Sequence, residues 1–415
     1  MTQQAQPPPH PTQPTPTTPH VADAHASSPS ADAWEREHAA ATRWRTRARR
    51  RFARRWKLIA GLSIVSAFYV VAACANFIAP YDASEQSRRE TFAPPTPIRF
   101  RDAAGRWHAR PFIYRLRLAD PLARTYEEDT SSARYPLALF TRGAQYKLFG
   151  LFTTDRHLFG IADDARENTG ARPVGADGAN VPAQRVYLLG TDDFGRDRLS
   201  RLLMASRFSL AVGPLGTLLA GVVGVFLGCV SGYAGRRTDA FLMRAADAML
   251  ALPDLVLILA ARAAFPLVLP PARAGLLLVS IFVAIGWAEM ARLARGLVLG
   301  LREREFVLAA VSLGLTETRI LFRHILPNAA RPLIVQLSLM LPAFLLAETA
   351  LSFLGVGVQE PAASWGNMLK SASDLTLLRQ QPFLQLSPAF AIFLFVLGVR
   401  LLSDGLRRDG DLRAR

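Results

Sequence analysis

The sequence predicts an all-α membrane protein with six transmembrane helices, a cytoplasmic two-helix loop and a β-rich extracytoplasmic insert between the first and second spans. Three observations predict it. Six apolar stretches, about 58–79, 208–230, 245–269, 274–294, 333–355 and 384–402, come near or above the roughly 17 residues that cross a bilayer as a helix. Nine positive charges and no acid, from Arg43 to Lys57, precede the first stretch. Part of the polar segment between the first two stretches has the two-residue period of a strand.

Composition limits the function classes. The chain has 415 residues, 50% hydrophobic, with 49 Lys+Arg against 33 Asp+Glu and a formal charge of +16. A basic excess raises nucleic acid as a partner, but long uncharged apolar runs argue for a lipid bilayer instead, and no nucleic acid is expected. The lysines are Lys57, Lys147 and Lys370, and none follows a glycine, so a Walker-type phosphate loop is absent. Cys74 and Cys229 both sit in apolar runs, which excludes a disulfide framework or a cysteine zinc site. No metal site is expected.

Residues 1–42 are Pro, Thr, Gln, Ala and Ser with few large apolar side chains, a composition that predicts disorder. Residues 43–80 form the basic flank and first span, and the flank places the N-terminus in the cytoplasm. Residues 81–205 form the insert. There Phe112, Tyr114, Leu116 and Leu118 alternate with Ile113, Arg115 and Arg117, Ile98 to Phe100 and Tyr146 to Phe149 behave similarly, and a loop at 163–180 closes it. Residues 206–406 hold five more spans, and 407–415 form a cytoplasmic tail. Arg236, Arg237, Arg244, Arg302, Arg304, Arg319, Arg323, Arg407 and Arg408 all fall on the cytoplasmic side of that topology. The long basic insert is no objection, because long loops translocate largely regardless of charge.

The loop between the fourth and fifth spans is the most informative stretch. Phe306, Ala309, Ala310 and Leu313 recur at helical spacing, and Gly314 follows where a helix C-cap is expected. Thr316 is a candidate N-cap for a second helix containing Ile320, Leu321 and His324, which Pro327 and Asn328 end. Two short amphipathic helices joined at a glycine make a compact knob. Its physics fits docking into a groove of another protein, or lying at the lipid interface, equally well.

This stretch resembles the EAA coupling loop of ABC importer permeases, in the form seen in dipeptide and oligopeptide systems. Ala309, Ala310, Gly314, Leu326 and Pro327 match the motif, and His324 to Asn328 resembles the peptide-permease ending. Leu308 stands where the family usually has Glu, and Glu305 lies one turn earlier. Leu189 to Asp197 resembles the family's GTD-x-x-GRD box, Ser364 to Met368 a box after the fifth span, and Asp404 to Arg407 the C-terminal signature. The likeness covers about 57–82 and 186–413, and a subset of these permeases carries a similar insert, including Arg142 through Asp155.

The resemblance implies a non-enzymatic permease subunit in a bacterial inner membrane, working by alternating access. It implies a paralogous permease partner and an extracytoplasmic solute-binding protein. One or two cytoplasmic ATPases would hold ATP and Mg, so this chain binds no cofactor itself. Glu305, Leu308, Ala309, Ala310 and Gly314 would seat the knob on the ATPase, with Arg323, His324, Leu326, Pro327 and Asn328 fixing its second helix. Glu348 and Asp254 are candidates for the pathway or for helix packing, and Trp365 for an interface anchor or a rim of the entrance. Asp247 and Arg292 are expected to pair locally, whereas Arg262 and Glu289 sit at different depths. Asp192, Asp193 and Asp197 can pair with Arg196 and Arg201. The same architecture could carry nickel, a peptide-like antibiotic or a cell-wall fragment. An ion-coupled transporter or channel without ATPase would leave the knob unexplained and predicts internal repeats, which are not seen. A scaffold whose outer domain is the working part is the remaining reading.

Overall fold

The computed structural model describes residues 56–120, 124–131, 133–148, 152–162, 184–233 and 235–413, with side chains to 407. The tail 1–42, most of the basic flank and the loop 163–180 lie outside the described residues. The described chain is mostly helical. Five helices are long and apolar enough to cross a membrane: α1 (Trp56–Ala73), α3 (Arg198–Tyr233), α6 (Pro271–Arg302), α8 (Glu317–Phe353) and α12 (Ser387–Arg413, whose apolar part ends at Arg407). A single-turn helix, α2 (Ala75–Ile78), follows α1, and three short helices, α9 (Trp365–Leu369), α10 (Leu375–Gln380) and α11 (Pro382–Gln385), lie between α8 and α12.

The expected third span is divided. α4 (Arg236–Leu250) and α5 (Asp254–Ala263) are separate helices with Pro253 at the break. Pro253 lacks the N–H that would continue the ladder and turns the residue before it away from helix.

Small residues set the packing of α3 on α6. Gly216, Ala220, Gly224, Gly228 and Gly232 recur every four residues on one face of α3, so the two backbones approach closely. A Cβ on Gly228 would lie 2.5 Å from the Ala291 carbonyl oxygen, and one on Gly224 2.6 Å from that of Trp287. Phe282 stacks on Phe344 of α8 at 4.8 Å within this core, which also buries Leu278, Met290 and Leu351. α1 lies on α12 through Gly61, Gly398 and Gly405.

Between α1 and α3 lie six strands: β1 (Arg99–Arg101), β2 (Trp107–Ile113), β3 (Arg115–Asp120), β4 (Thr125–Asp129), β5 (Tyr135–Leu148) and β6 (Phe152–Ile161). They form an antiparallel four-stranded sheet, order β1-β2-β5-β6, and a separate β3–β4 hairpin. The single alternating strand expected over 112–118 is therefore two strands that part at Tyr114. Phe112, Ile113 and Tyr114 are all buried, so the two-residue alternation fails where the chain leaves one sheet for the other. Asp102, in the turn after β1, accepts from Arg106, His108 and Arg134, and the bonds from His108 foremost and then Arg106 hold its carboxyl below the usual range.

Candidate functional site

The knob is built as a bracket. α6 ends at Arg302, whose guanidinium sits 5.2 Å from the Tyr233 ring. α7 (Glu305–Ser312) then closes on a Schellman motif. Leu315 N–H donates to the Ala310 carbonyl at 3.2 Å and Gly314 N–H to Val311 at 2.9 Å. Gly314 has φ +75°, and nothing lies within 4 Å of where its Cβ would be, so backbone conformation rather than space demands glycine here.

The knob buries part of its apolar side chains and leaves others bare. Val307, Ala310, Ile320 and Ile325 are buried against Cys229 and Val298. Phe306, Leu308, Val311, Leu313 and Phe322 are exposed, Leu313 by 80% and Phe322 by 69%. The two alanines of the motif part company, with Ala310 inside and Ala309 outside. Glu305 is exposed in the first turn of α7, and Thr316 occupies the N-cap of α8 without bonding its backbone through the hydroxyl.

Pro327 and Asn328 do not end the second helix. Residues Leu321–Ile325 form a π turn, and the helix runs on through Pro327 to Phe353. The widened turn absorbs a proline that has no N–H to give and cannot tolerate the usual carbonyl four residues back. Asn328 Nδ2 donates to the His324 carbonyl across the π turn at 2.6 Å. His324 and Leu326 are half-buried, while Arg323, Pro327 and Asn328 are exposed. The knob's second helix and the long span are thus one rod.

A second constellation lies at the other end of α3. Gly190 and Gly195 both have positive φ, and a Cβ on Gly195 would lie 1.9 Å from the Ser87 carbonyl oxygen. Asp192 accepts from Arg196 Nε at 2.7 Å and lies 3.3 Å from Arg201 Nε. Glu360, from the loop after α8, accepts from Arg196 Nη1 at 2.6 Å and Arg201 Nη2 at 3.0 Å. Nothing in the spacing of the box pointed to Glu360, which lies 164 residues from Arg196. Asp197 does not pair with an arginine. Its Oδ2 accepts from the N–H and hydroxyl of Ser200, capping α3, and burial pushes its carboxyl up to about 6.

The remaining ionisable groups lie elsewhere on the helices. Glu348 is fully buried, with Oε1 accepting from the Ser352 hydroxyl at 2.8 Å. Arg262 donates to the carbonyls of Phe265, Pro266 and Leu267, so it holds the turn that follows α5 and does not meet Glu289 among the described residues. Asp247 and Arg292 pair, as their depth predicts. Asp254 is exposed in the first turn of α5. Trp365 is 1% exposed and is not an interface anchor. It packs edge-on to Phe68, and its indole N–H donates to Leu202 at 3.3 Å. The box around it is a capping box between Ser364 and Asn367. Gly366 allows the close pass, since a Cβ there would meet the Thr349 carbonyl oxygen at 2.3 Å.

Comparison with known proteins agrees with this architecture. The family model described as "Binding-protein-dependent transport system inner membrane component" matches residues 224–409, and the "N-terminal TM domain of oligopeptide transport permease C" matches 42–95. The oligopeptide transport system permease protein OppC of Bacillus subtilis is 38% identical over 239 residues, covering 57% of this chain and 75% of that protein. The dipeptide transport system permease protein DppC of Alkalihalophilus pseudofirmus is 39% identical over 221 residues, covering 53% and 70%. The probable D,D-dipeptide transport system permease protein DdpC of Escherichia coli is 38% identical over 234 residues, covering 56% and 76%. With identity at this level across more than two thirds of such relatives, the chain belongs to the family of inner-membrane permease components of binding-protein-dependent ABC transporters, and is a transporter subunit rather than an enzyme.

Proposed function

We propose that this chain is the permease subunit of an ATP-driven importer of dipeptides or oligopeptides, forming half of the translocation pathway with a paralogous permease. The observation that carries this reading is the set of exposed apolar side chains on the knob, Phe306, Leu308, Val311 and Leu313. Removing them from water on a partner favours docking of a cytoplasmic ATPase. Peptide cargo rests on the relatives' names. One or two ATPases, carrying ATP and Mg, dock on residues 302–330, and a solute-binding protein docks on the outer side.

The topology has both termini in the cytoplasm of a bacterial cell and the strands outside. It counts α4 and α5 together as the third of six spans. α3 offers the partner permease a stripe of exposed apolar side chains, Leu215, Leu218, Val222, Phe226 and Val230. Closure of the ATPases pushes the knob, and the continuous rod of α8 carries the displacement to Glu348 and the outer clasp. The spans rock, and the pathway opens alternately to each side.

The test is uptake of labelled peptide by a deletion strain expressing this chain, with co-purification of the ATPase. Leu313→Asp should lose both while the protein remains in the membrane. ATPase recovery and uptake unchanged in Leu313→Asp would overturn the docking role. Restored nickel uptake without peptide uptake would overturn the cargo.

A further inference from the structure

The β5–β6 hairpin does not stand clear of the spans. His157 Nδ1 lies 2.6 Å from the Ala79 carbonyl oxygen, just past α2. Nearer the turn of the hairpin, Asn76 Nδ2 donates to the Lys147 carbonyl at 3.4 Å. The Lys147 side chain then lines a groove with Tyr69, Ala72, Ala73, Arg207 and Leu210. From His157 to Lys147 the hairpin therefore descends from the level of residue 79 to that of residues 69–76. Ala73 ends the apolar helix α1, and Tyr69 lies about 6 Å deeper at 1.5 Å per residue.

The next ladder pair after Lys147 with Thr153 is Leu148 with Phe152, and Phe152 is 68% exposed. An aromatic side chain bare at the depth of a spanning helix matches a lipid environment and is costly in water.

The groove has a volume of about 440 Å³. Its walls are the Tyr69 ring, Ala72, Ala73, Leu210 and Ala211, and its charges are Lys147 and Arg207. Arg207 donates to the carbonyls of Ala72 and Ala73 and to Asn76 Oδ1, which caps α1, but no carboxylate neutralises it among the described residues. The Lys147 ammonium has no partner among the described residues. Two uncompensated cations above an apolar slot match the order of a phospholipid, with phosphate outermost and acyl chain below.

We propose that the β5–β6 hairpin dips into the outer leaflet of the bilayer and that the groove between it, α1 and α3 holds a phospholipid, its phosphate on Lys147 and Arg207. Which leaflet is meant rests on the topology given above. The occupant is lipid because the groove is continuous with the outward surface of α1, where Ile59, Leu62, Tyr69 and Val70 are exposed.

The test uses the full chain in nanodiscs of phosphatidylethanolamine and phosphatidylglycerol, with Cys74→Ala and Cys229→Ala. A nitroxide on Phe152→Cys should collide more with oxygen than with a water-soluble nickel chelate, and one on Phe100→Cys, on the far strand β1, the reverse. Equal nickel access at both positions, or shielding of Phe152→Cys from both reagents, overturns insertion. Phosphatidylglycerol retained by the detergent-purified chain should bind about fivefold more weakly in Lys147→Gln and normally in Lys147→Arg. Unchanged retention in Lys147→Gln, or displacement of the lipid by inorganic phosphate, overturns the lipid site. Labelling of Phe100→Cys by an impermeant maleimide on intact cells checks the topology separately. If that labelling fails while the nitroxide result holds, the topology is wrong and the insertion stands on the other leaflet.

Discussion

Lys57 Nζ lies 2.8 Å from Asp404 Oδ2 and ties the start of α1 to α12 across 347 positions of sequence. The pair is half-open to solvent on the aspartate side, so its worth is at most about 1 kcal/mol. The glycine beside it matters more, because a Cβ on Gly405 would meet the Leu58 Cα at 2.6 Å. Lys57→Ala should leave thermal unfolding of the purified chain nearly unchanged, whereas Gly405→Val should lower it by several degrees by forcing the helices apart.

The same reasoning ranks the glycines of α3. Gly228→Val places branched carbons against the Ala291 carbonyl and the Ala294 methyl, and neither can move without displacing α6. Its expected cost is about 3 kcal/mol, at the upper end for overpacking. Gly300→Ala, where nothing lies within 4 Å, should be neutral or slightly stabilising. Melting of both variants in one detergent decides the ranking.

Five of the six expected spans, the knob and the Gly314 turn were legible in the sequence because each rests on local physics: apolar length, helical period and positive φ; the expected third span was not, because Pro253 divides it. The misreadings share a different cause. Pro327 reads as a stop, yet a π turn one residue wider than the ordinary ladder accommodates it. Trp365 reads as an interface residue, yet Phe68 and Phe395, distant in sequence, enclose it. Glu360 joins Arg196 and Arg201 only through folding, and no motif marks it.

Asp197 gives a pH signature. Its carboxyl titrates at about 6 in the folded chain, above its ordinary value of 3.8. The raised value means that folding favours the protonated form. Its contribution is present in full below pH 3.8 and is lost as pH rises through about 6, by up to about 3 kcal/mol. Amide exchange at the start of α3 should therefore quicken between pH 4 and 6, after correction for intrinsic rate. Asp197→Asn, which still accepts from Ser200, should remove that step. An unchanged step in Asp197→Asn would assign it elsewhere.

Glu348 is buried beside hydroxyls, with no cation paired to it among the described residues and Oε2 without a hydrogen bond. A lone carboxylate there is costly, and a neutral amide of the same shape is not. Glu348→Gln should hold or raise the melting temperature and preserve uptake. Glu348→Ala should lower the melting temperature, by leaving the Ser352 hydroxyl unpaired over a void. Loss of uptake in a well-folded Glu348→Gln would instead place the carboxylate in the pathway.

The knob separates folding from coupling. Leu308 is 53% exposed, so a polar side chain there reaches water. Leu308→Glu, the residue usual in similar permeases, should fold normally and at least keep the rate of ATP-driven uptake. Gly314→Ala keeps the exposed face chemically intact but forces a Cβ into the left-handed region, at a cost of about 1 kcal/mol confined to the joint. Val311→Asp does the opposite: it leaves the glycine joint alone and puts a charge on an exposed apolar position of α7. Gly314→Ala should then reduce uptake only partly, through fraying of α7, while Val311→Asp should abolish it with melting unchanged. Normal uptake in Val311→Asp would show that the exposed apolar side chains of the knob are not the surface through which the spans are driven.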